Sequence, residues 1–172
     1  MGLIGLPNAG KSSFLSCVSR ARPKVADYPF TTLEPALGVV EHKGHAFVIA
    51  DLPGLIERAS EGAGLGHRFL RHVARNRVLL HLVDVTQEPE NIQKNIETIR
   101  KELGAYDPEL LQREERIVFT KTDLLSGEDL AQKKKDLERL GFKGYFISSA
   151  AREGLNPLLD DLAGLTRKES PA

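Results

Sequence analysis

Gly5-Leu6-Pro7-Asn8-Ala9-Gly10-Lys11-Ser12 has the spacing G-x-x-x-x-G-K-[ST]. In such a loop the glycines let backbone N–H groups converge on the α and β phosphates of a nucleotide. The lysine reaches the β and γ phosphates, and the hydroxyl ligates Mg²⁺. The flanks agree with that reading. Leu3-Ile4 ends a short apolar run, as a strand entering the loop would, and 12–18, from Ser12-Ser13 on, opens a helix whose N-terminus supplies free N–H donors and a positive dipole end. Chance occurrence in a linker is the alternative, and it leaves this strand, loop and helix succession unexplained.

Four further segments carry chemistry. Asp51 follows an apolar run and precedes Leu52-Pro53-Gly54; there it would hold Mg²⁺ through a water while the Gly54 N–H approaches a γ-phosphate. Taken alone it is a strand-end turn. Phe30-Thr31-Thr32 lies in a proline-bearing stretch and offers a hydroxyl and a backbone N–H that close over Mg²⁺ and the γ-phosphate and release when that phosphate leaves. Thr32 is the expected ligand, loop solvation the plainer role. In Thr120-Lys121-Thr122-Asp123 the Asp123 carboxylate can accept both N1–H and N2–H₂ of guanine while the Lys121 stem covers the ring. Adenine lacks that donor pair. Ser148-Ser149-Ala150 would bring backbone N–H groups to the guanine O6. Lys11, Thr32 and Gly54 are the candidate catalytic positions, and Ser12, Thr32 and Asp51 the candidate Mg²⁺ set.

The elements that must position these residues can be read from periodicity. Runs at 37–42 and 45–50, joined at Lys43-Gly44, predict an antiparallel hairpin. Residues 78–83 form a nearly continuous apolar run, the mark of a strand covered on both faces. Helical spacing recurs at 91–104, 130–140 and 155–165, and strand runs at 117–119 and 145–147. Residues 69–74 predict a short helix after the glycine-rich 61–66, and 20–34, with Pro23 and Pro29, predicts an extended loop. The predicted fold is an α/β P-loop NTPase three-layer fold. Its sheet is mostly parallel and six-stranded with one antiparallel strand, and helices lie on both faces. The phosphate loop, Asp51, Thr120 to Asp123 and Ser148 to Ala150 then each fall at a strand's carboxyl end, where ligands sit in such sheets.

Composition sets bounds. A chain of 172 residues, 41% hydrophobic, predicts one domain, 1–172, with a substantial core. Lys plus Arg and Asp plus Glu number 24 each, so no global field favours nucleic acid or an anionic membrane. The single cysteine, Cys17, excludes an intramolecular disulfide and reads as a small buried apolar residue in a reducing cytosol. No run approaches the length of a membrane span, and no signal-peptide pattern opens the chain. A soluble cytoplasmic monomer is expected. The five histidines make no metal set, since His67 and His72 stand five apart without acids or cysteines beside them, and they read as surface or switch residues. Arg68, Arg71, His72, Arg75 and Arg77 cluster around the glycine-rich segment, either to meet rRNA or to form a solvated face.

With these motifs in place, the chain resembles the GTP-binding domain of the Obg family of bacterial GTPases, within the translation-factor class of P-loop proteins. The resemblance rests on the loop through Ser13, on Tyr28-Pro29-Phe30-Thr31-Thr32-Leu33 and on Asp51-Leu52-Pro53-Gly54-Leu55-Ile56-Glu57. Ser60-Glu61-Gly62-Ala63-Gly64-Leu65-Gly66 and Ala105-Tyr106-Asp107-Pro108-Glu109-Leu110 complete it. It implies a cytoplasmic GTP hydrolase that binds the large ribosomal subunit and acts in its assembly and in growth control. The glycine-rich N-terminal and the C-terminal domains typical of the family are expected to be absent. Thr120 replaces the usual Asn of the base motif, at a cost of roughly 0.5–1.5 kcal/mol if one hydrogen bond is lost. Ser149 replaces the usual Ala, and Arg58 a small or amide residue.

Leu55 stands where GTPases of the Ras type place the glutamine that orients the attacking water. Slow intrinsic hydrolysis is therefore expected, assisted by Lys11, Mg²⁺ and an external cation. By the resemblance, Asn8 either holds K⁺ in that role or structures the loop. Arg20 and Arg22 are the nearest arginines that could act in cis. A guanine-nucleotide-dependent ribosome or rRNA-binding module with negligible hydrolysis is the competing reading. An ATP-using kinase would leave Asp123 without a purpose.

Overall fold

The computed structural model describes residues 1–25, 36–51 and 77–168. The predicted helix at 69–74 and the segments carrying Phe30, Thr31, Thr32, Leu52, Pro53 and Gly54 lie outside them, as do Leu55, Arg58, His67, Arg68, Arg71, His72 and Arg75.

In chain order the elements are β1 (Gly2–Ile4), α1 (Lys11–Val18), β2 (Lys24–Val25), β3 (Ala36–His42), β4 (His45–Asp51) and β5 (Val78–Asp84). There follow α2 (Pro89–Tyr106), β6 (Glu114–Thr120), α3 (Gly127–Arg139), β7 (Gly144–Phe146) and α4 (Leu155–Arg167). The sheet order is β2-β3-β4-β1-β5-β6-β7. β1, β4, β5, β6 and β7 pair in parallel, and β3 runs antiparallel to both β2 and β4. All six strands read from the sequence are present, and the two-residue β2, inside the stretch read as loop, adds an edge strand. β1 has only three residues, yet it lies between β4 and β5 and all three are buried.

The strand period of two sorts the core into two layers. Leu80, Leu82 and Val118 face α1 and α4, packing with Phe14, Leu15, Leu158 and Leu162. Val83, Ile117 and Phe119 face α2 and α3, packing with Ile92, Ile96 and Leu137. β5 has a buried residue at every position but its last, as its unbroken apolar run predicted. In α2, Ile92, Ile96, Ile99 and Leu103 form the stripe that covers the sheet, and all four are buried.

Parallel pairing brings the chemically marked strand ends to one edge. Leu3 of β1 stands opposite Asp51, and Asp84, the last residue of β5, stands opposite Thr120, the last of β6. The opposite edge is tied by different groups. His42 Nε2 lies 2.6 Å and Lys43 Nζ 2.7 Å from Asp160 Oδ1 of α4, and His45 Nε2 lies 2.7 Å from Thr166 Oγ1.

Candidate nucleotide site

The loop between β1 and α1 is shaped by backbone that few side chains tolerate. Asn8 has φ 66° and Gly10 has φ 92°, left-handed values that turn successive N–H groups the same way. At Gly5 a Cβ would sit 2.6 Å from the Leu82 carbonyl oxygen, so only glycine lets the loop leave β1 against β5. Ala9 N–H donates to Leu6 O at 3.1 Å and closes the turn. α1 then begins with no side-chain cap and no acidic residue in its own first turn, which leaves its first N–H groups free of a side-chain acceptor. The bay around it, about 350 Å³, is lined by Asn8, Gly10, Lys11, Ser12, Ser13 and Lys121. Lys11 curls back, its Nζ donating to Gly5 O at 2.9 Å.

Asp51, the last residue of β4, stands beside Ser12 of the bay. It is 6% exposed, Ser12 Oγ donates to its Oδ2 at 3.4 Å, and its Oδ1 is buried without a partner. Burial raises its pKa, and the Lys11 charge and the Ser12 hydroxyl pull it back only in part. An orphaned buried carboxylate oxygen beside a serine hydroxyl is a donor set that suits a hard divalent cation.

The base-reading segment is built by contacts between residues distant in sequence. Thr120, 3% exposed, donates through Oγ1 to Ala9 O of the phosphate loop at 2.7 Å and lies 3.3 Å from Val83 O. Its hydroxyl is therefore spent as a strut between the two loops. Lys121 takes φ 65° and opens a 3₁₀ turn, Thr122–Leu124, held by Thr122 N–H on Ile147 O at 3.3 Å. Ser148 Oγ donates to Asp123 Oδ1 at 2.7 Å and accepts the Ala151 N–H at 2.9 Å. Ser148 is completely buried, and its backbone N–H and C=O exchange bonds with Glu153 at 3.0 Å each. The loop Ser148-Ser149-Ala150 thus aims the Asp123 carboxylate directly, a role for the Ser148 side chain that the sequence reading did not assign.

Several expectations change. Cys17 is half-buried, and its Sγ lies 3.5 Å from Ser149 O, so it touches the base-reading loop instead of filling the core. His81 is not a surface residue. It lies 1% exposed on β5, with Nδ1 2.8 Å from Glu115 Oε1, and Glu115 also accepts from Arg100 Nε at 2.9 Å. Burial pulls the Glu115 carboxyl up, but the bonds from His81 and Arg100 outweigh it and hold the group low. Arg20 is excluded as a cation acting in cis in this arrangement. It follows the far end of α1 and pairs with Glu41 at 2.7 Å beside the hairpin tip, away from the phosphate loop. Asp84 was missed altogether; its only signal was a carboxylate ending a strand that is apolar but for His81. Among the described residues no helix is long and apolar enough to cross a membrane.

A glycine loop at the carboxyl end of a central parallel strand, an acidic strand end beside it and a lysine after β6 that lines the same bay define a P-loop nucleotide-binding domain. The family model described as "50S ribosome-binding GTPase" matches residues 1–121, and the chain belongs to this family. It is 51% identical over 174 residues to "GTPase Obg" of Symbiobacterium thermophilum, covering 99% of this chain and 41% of that protein. To "GTPase Obg" of Desulforudis audaxviator it is 52% identical over 161 residues, covering 92% and 38%. The Obg resemblance is thus borne out, and the chain spans well under half the length of these two relatives. The crystal structure of the G domain of the T. maritima FeoB iron transporter is similar in fold, with a TM-score of 0.61 at 23% identity and 92% of each chain covered.

Proposed function

We propose that this domain binds GTP and GDP with Mg²⁺ and hydrolyses GTP slowly, as a switch within a cytoplasmic protein that acts in large ribosomal subunit assembly and growth control. The observation that carries the guanine reading is the Ser148–Asp123 bond at 2.7 Å, which fixes a carboxylate two residues beyond Lys121, itself part of the lining of the phosphate-loop bay. Lys11 leaves Gly5 O to reach the β and γ phosphates. The N–H groups of the loop and of the first turn of α1 take the remaining phosphate oxygens. Ser12 and Asp51, the latter through a water, would hold Mg²⁺ together with Thr32, and the bound ion would supply positive charge to the phosphate oxygens. From the sequence, Gly54 would offer its N–H to the γ-phosphate, and Phe30, Thr31, Leu52 and Pro53 are the further candidate binding positions; all five lie outside the described residues. With Leu55 at the water-orienting position, turnover is slow and responds to an added cation held at Asn8. Equal turnover in K⁺ and Na⁺ would remove the cation from the mechanism.

Competition against labelled GDP by GDP, ADP and xanthosine diphosphate, for the parent domain and Asp123→Asn, tests the base reading. GDP alone should displace the label from the parent, and the variant should shift towards the xanthine nucleotide. Equal displacement by ADP refutes it. A binding module without hydrolysis is the second reading, favoured by Leu55, and single-turnover measurement with K⁺ and Mg²⁺ separates the two.

A further inference from the structure

Among the described residues, the carboxylate bonded to Lys121 lies outside the segments that the sequence marked for chemistry. Lys121 Nζ is 2.8 Å from Asp84 Oδ2. The other carboxylate oxygen is itself pinned, Oδ1 accepting from Thr86 N–H at 2.9 Å and from Thr86 Oγ1 at 2.6 Å. Asp84 is therefore a rigid post at the end of β5, in register with Thr120. The side chains of Lys121 and Asp84 are 32% and 17% exposed, so the pair is only partly screened by water. Burial alone would raise the Asp84 carboxyl, and the bonds from Lys121 and Thr86 keep it low.

A free lysine stem carries rotamer entropy that a ligand must overcome if the stem is to lie flat against it. Here the Nζ end is tethered by Asp84 and the Cα end by the left-handed turn that opens at Lys121, with the stem lining the bay shared with Asn8 and Lys11. We propose that Asp84 is a positioning residue for nucleotide binding, which pre-orders the Lys121 stem as the platform for the purine ring. The inference rests on the reading that Lys121 covers the base. Asp84 touches no part of the ligand and acts through Lys121 alone.

A double-mutant cycle tests it, with GDP and inorganic pyrophosphate as calorimetric probes of Asp84→Asn, Lys121→Ala and the double variant. Asp84→Asn should weaken GDP about tenfold and leave pyrophosphate within about twofold of the parent, because only the base half of the site depends on the stem. Lys121→Ala should weaken GDP at least as much, and the double variant should bind no more weakly than Lys121→Ala. Asp84→Asn with unchanged GDP affinity, or with pyrophosphate weakened equally, overturns the proposal, as do losses that multiply in the double variant. Lys121→Ala with unchanged GDP affinity refutes the base-covering reading itself and the proposal with it. A weakened Lys121→Ala beside a silent Asp84→Asn refutes the proposal alone.

Discussion

Replacing Thr120 by valine keeps the shape of a side chain that is 3% exposed and removes its one hydrogen-bond donor. The Ala9 carbonyl loses a 2.7 Å partner in a position that links the phosphate loop to the end of β6. A buried acceptor deprived of its donor costs about 1–3 kcal/mol. For a domain of this size each kcal/mol moves the thermal midpoint by about 2–4 °C, so the nucleotide-free variant should melt roughly 2–12 °C lower. If about 1 kcal/mol of the loss is felt only in the nucleotide-bound state, GDP should leave roughly fivefold faster. Urea unfolding and stopped-flow release of a fluorescent GDP measure the two effects. Thr120→Ser is the control: it keeps the hydroxyl and gives up one methyl, about 0.8 kcal/mol. If Thr120→Val unfolds within about 0.5 kcal/mol of the parent, the ordinary scatter of surface substitutions, the strut carries no load and the reasoning is refuted.

Titration separates the buried carboxylates. Asp51 has a raised pKa in the folded state, so its contribution to apo stability is full below the ordinary carboxylate range and is lost as pH rises through the raised value. Asp51→Asn should abolish that fall in urea unfolding and also the Mg²⁺ dependence of GDP binding; a pH slope identical to the parent's contradicts the assignment. Glu115 is held low, so its contribution is present above the ordinary range and is lost as pH falls through the lowered value. Glu115→Gln should cost about 1.5–3 kcal/mol at neutral pH and flatten the acid limb, and an unchanged acid midpoint would count against the His81–Glu115–Arg100 cluster. Gly154 and Gly44 have φ 72° and 74°, but a Cβ at Gly154 would lie 2.1 Å from Phe146 O whereas at Gly44 nothing lies within 4 Å. Gly44→Ala should therefore lose about 1–2 kcal/mol, and Gly154→Ala distinctly more, read from paired thermal melts. Equal losses would show that the close approach at Gly154 relaxes freely.

Local pattern in the sequence determined a great deal here. The spacing of Gly5, Gly10, Lys11 and Ser12 specifies a phosphate cradle because backbone conformation and lysine reach are properties of a few adjacent residues. The apolar run of β5 and the stripe Ile92, Ile96, Ile99, Leu103 declare a two-faced sheet and a covering helix, because burial imposes a period on neighbours in the chain. Those two facts were enough to place Asp51, Asp123 and Ser148 at strand carboxyl ends. Which of those ends touch was decided only by register and by parallel pairing, which set side chains side by side across gaps of tens of residues. Thr120 meets Ala9 from 111 residues away and Lys121 meets Asp84 from 37, and nothing in either partner's own segment names the residue it will meet. The histidines show the same division: with period two, His81 shares a face with Val83, and only the pairing of β5 with β6 places Glu115 within 2.8 Å of its ring. Sequence periodicity says that a residue is inside; the tertiary structure alone says against what.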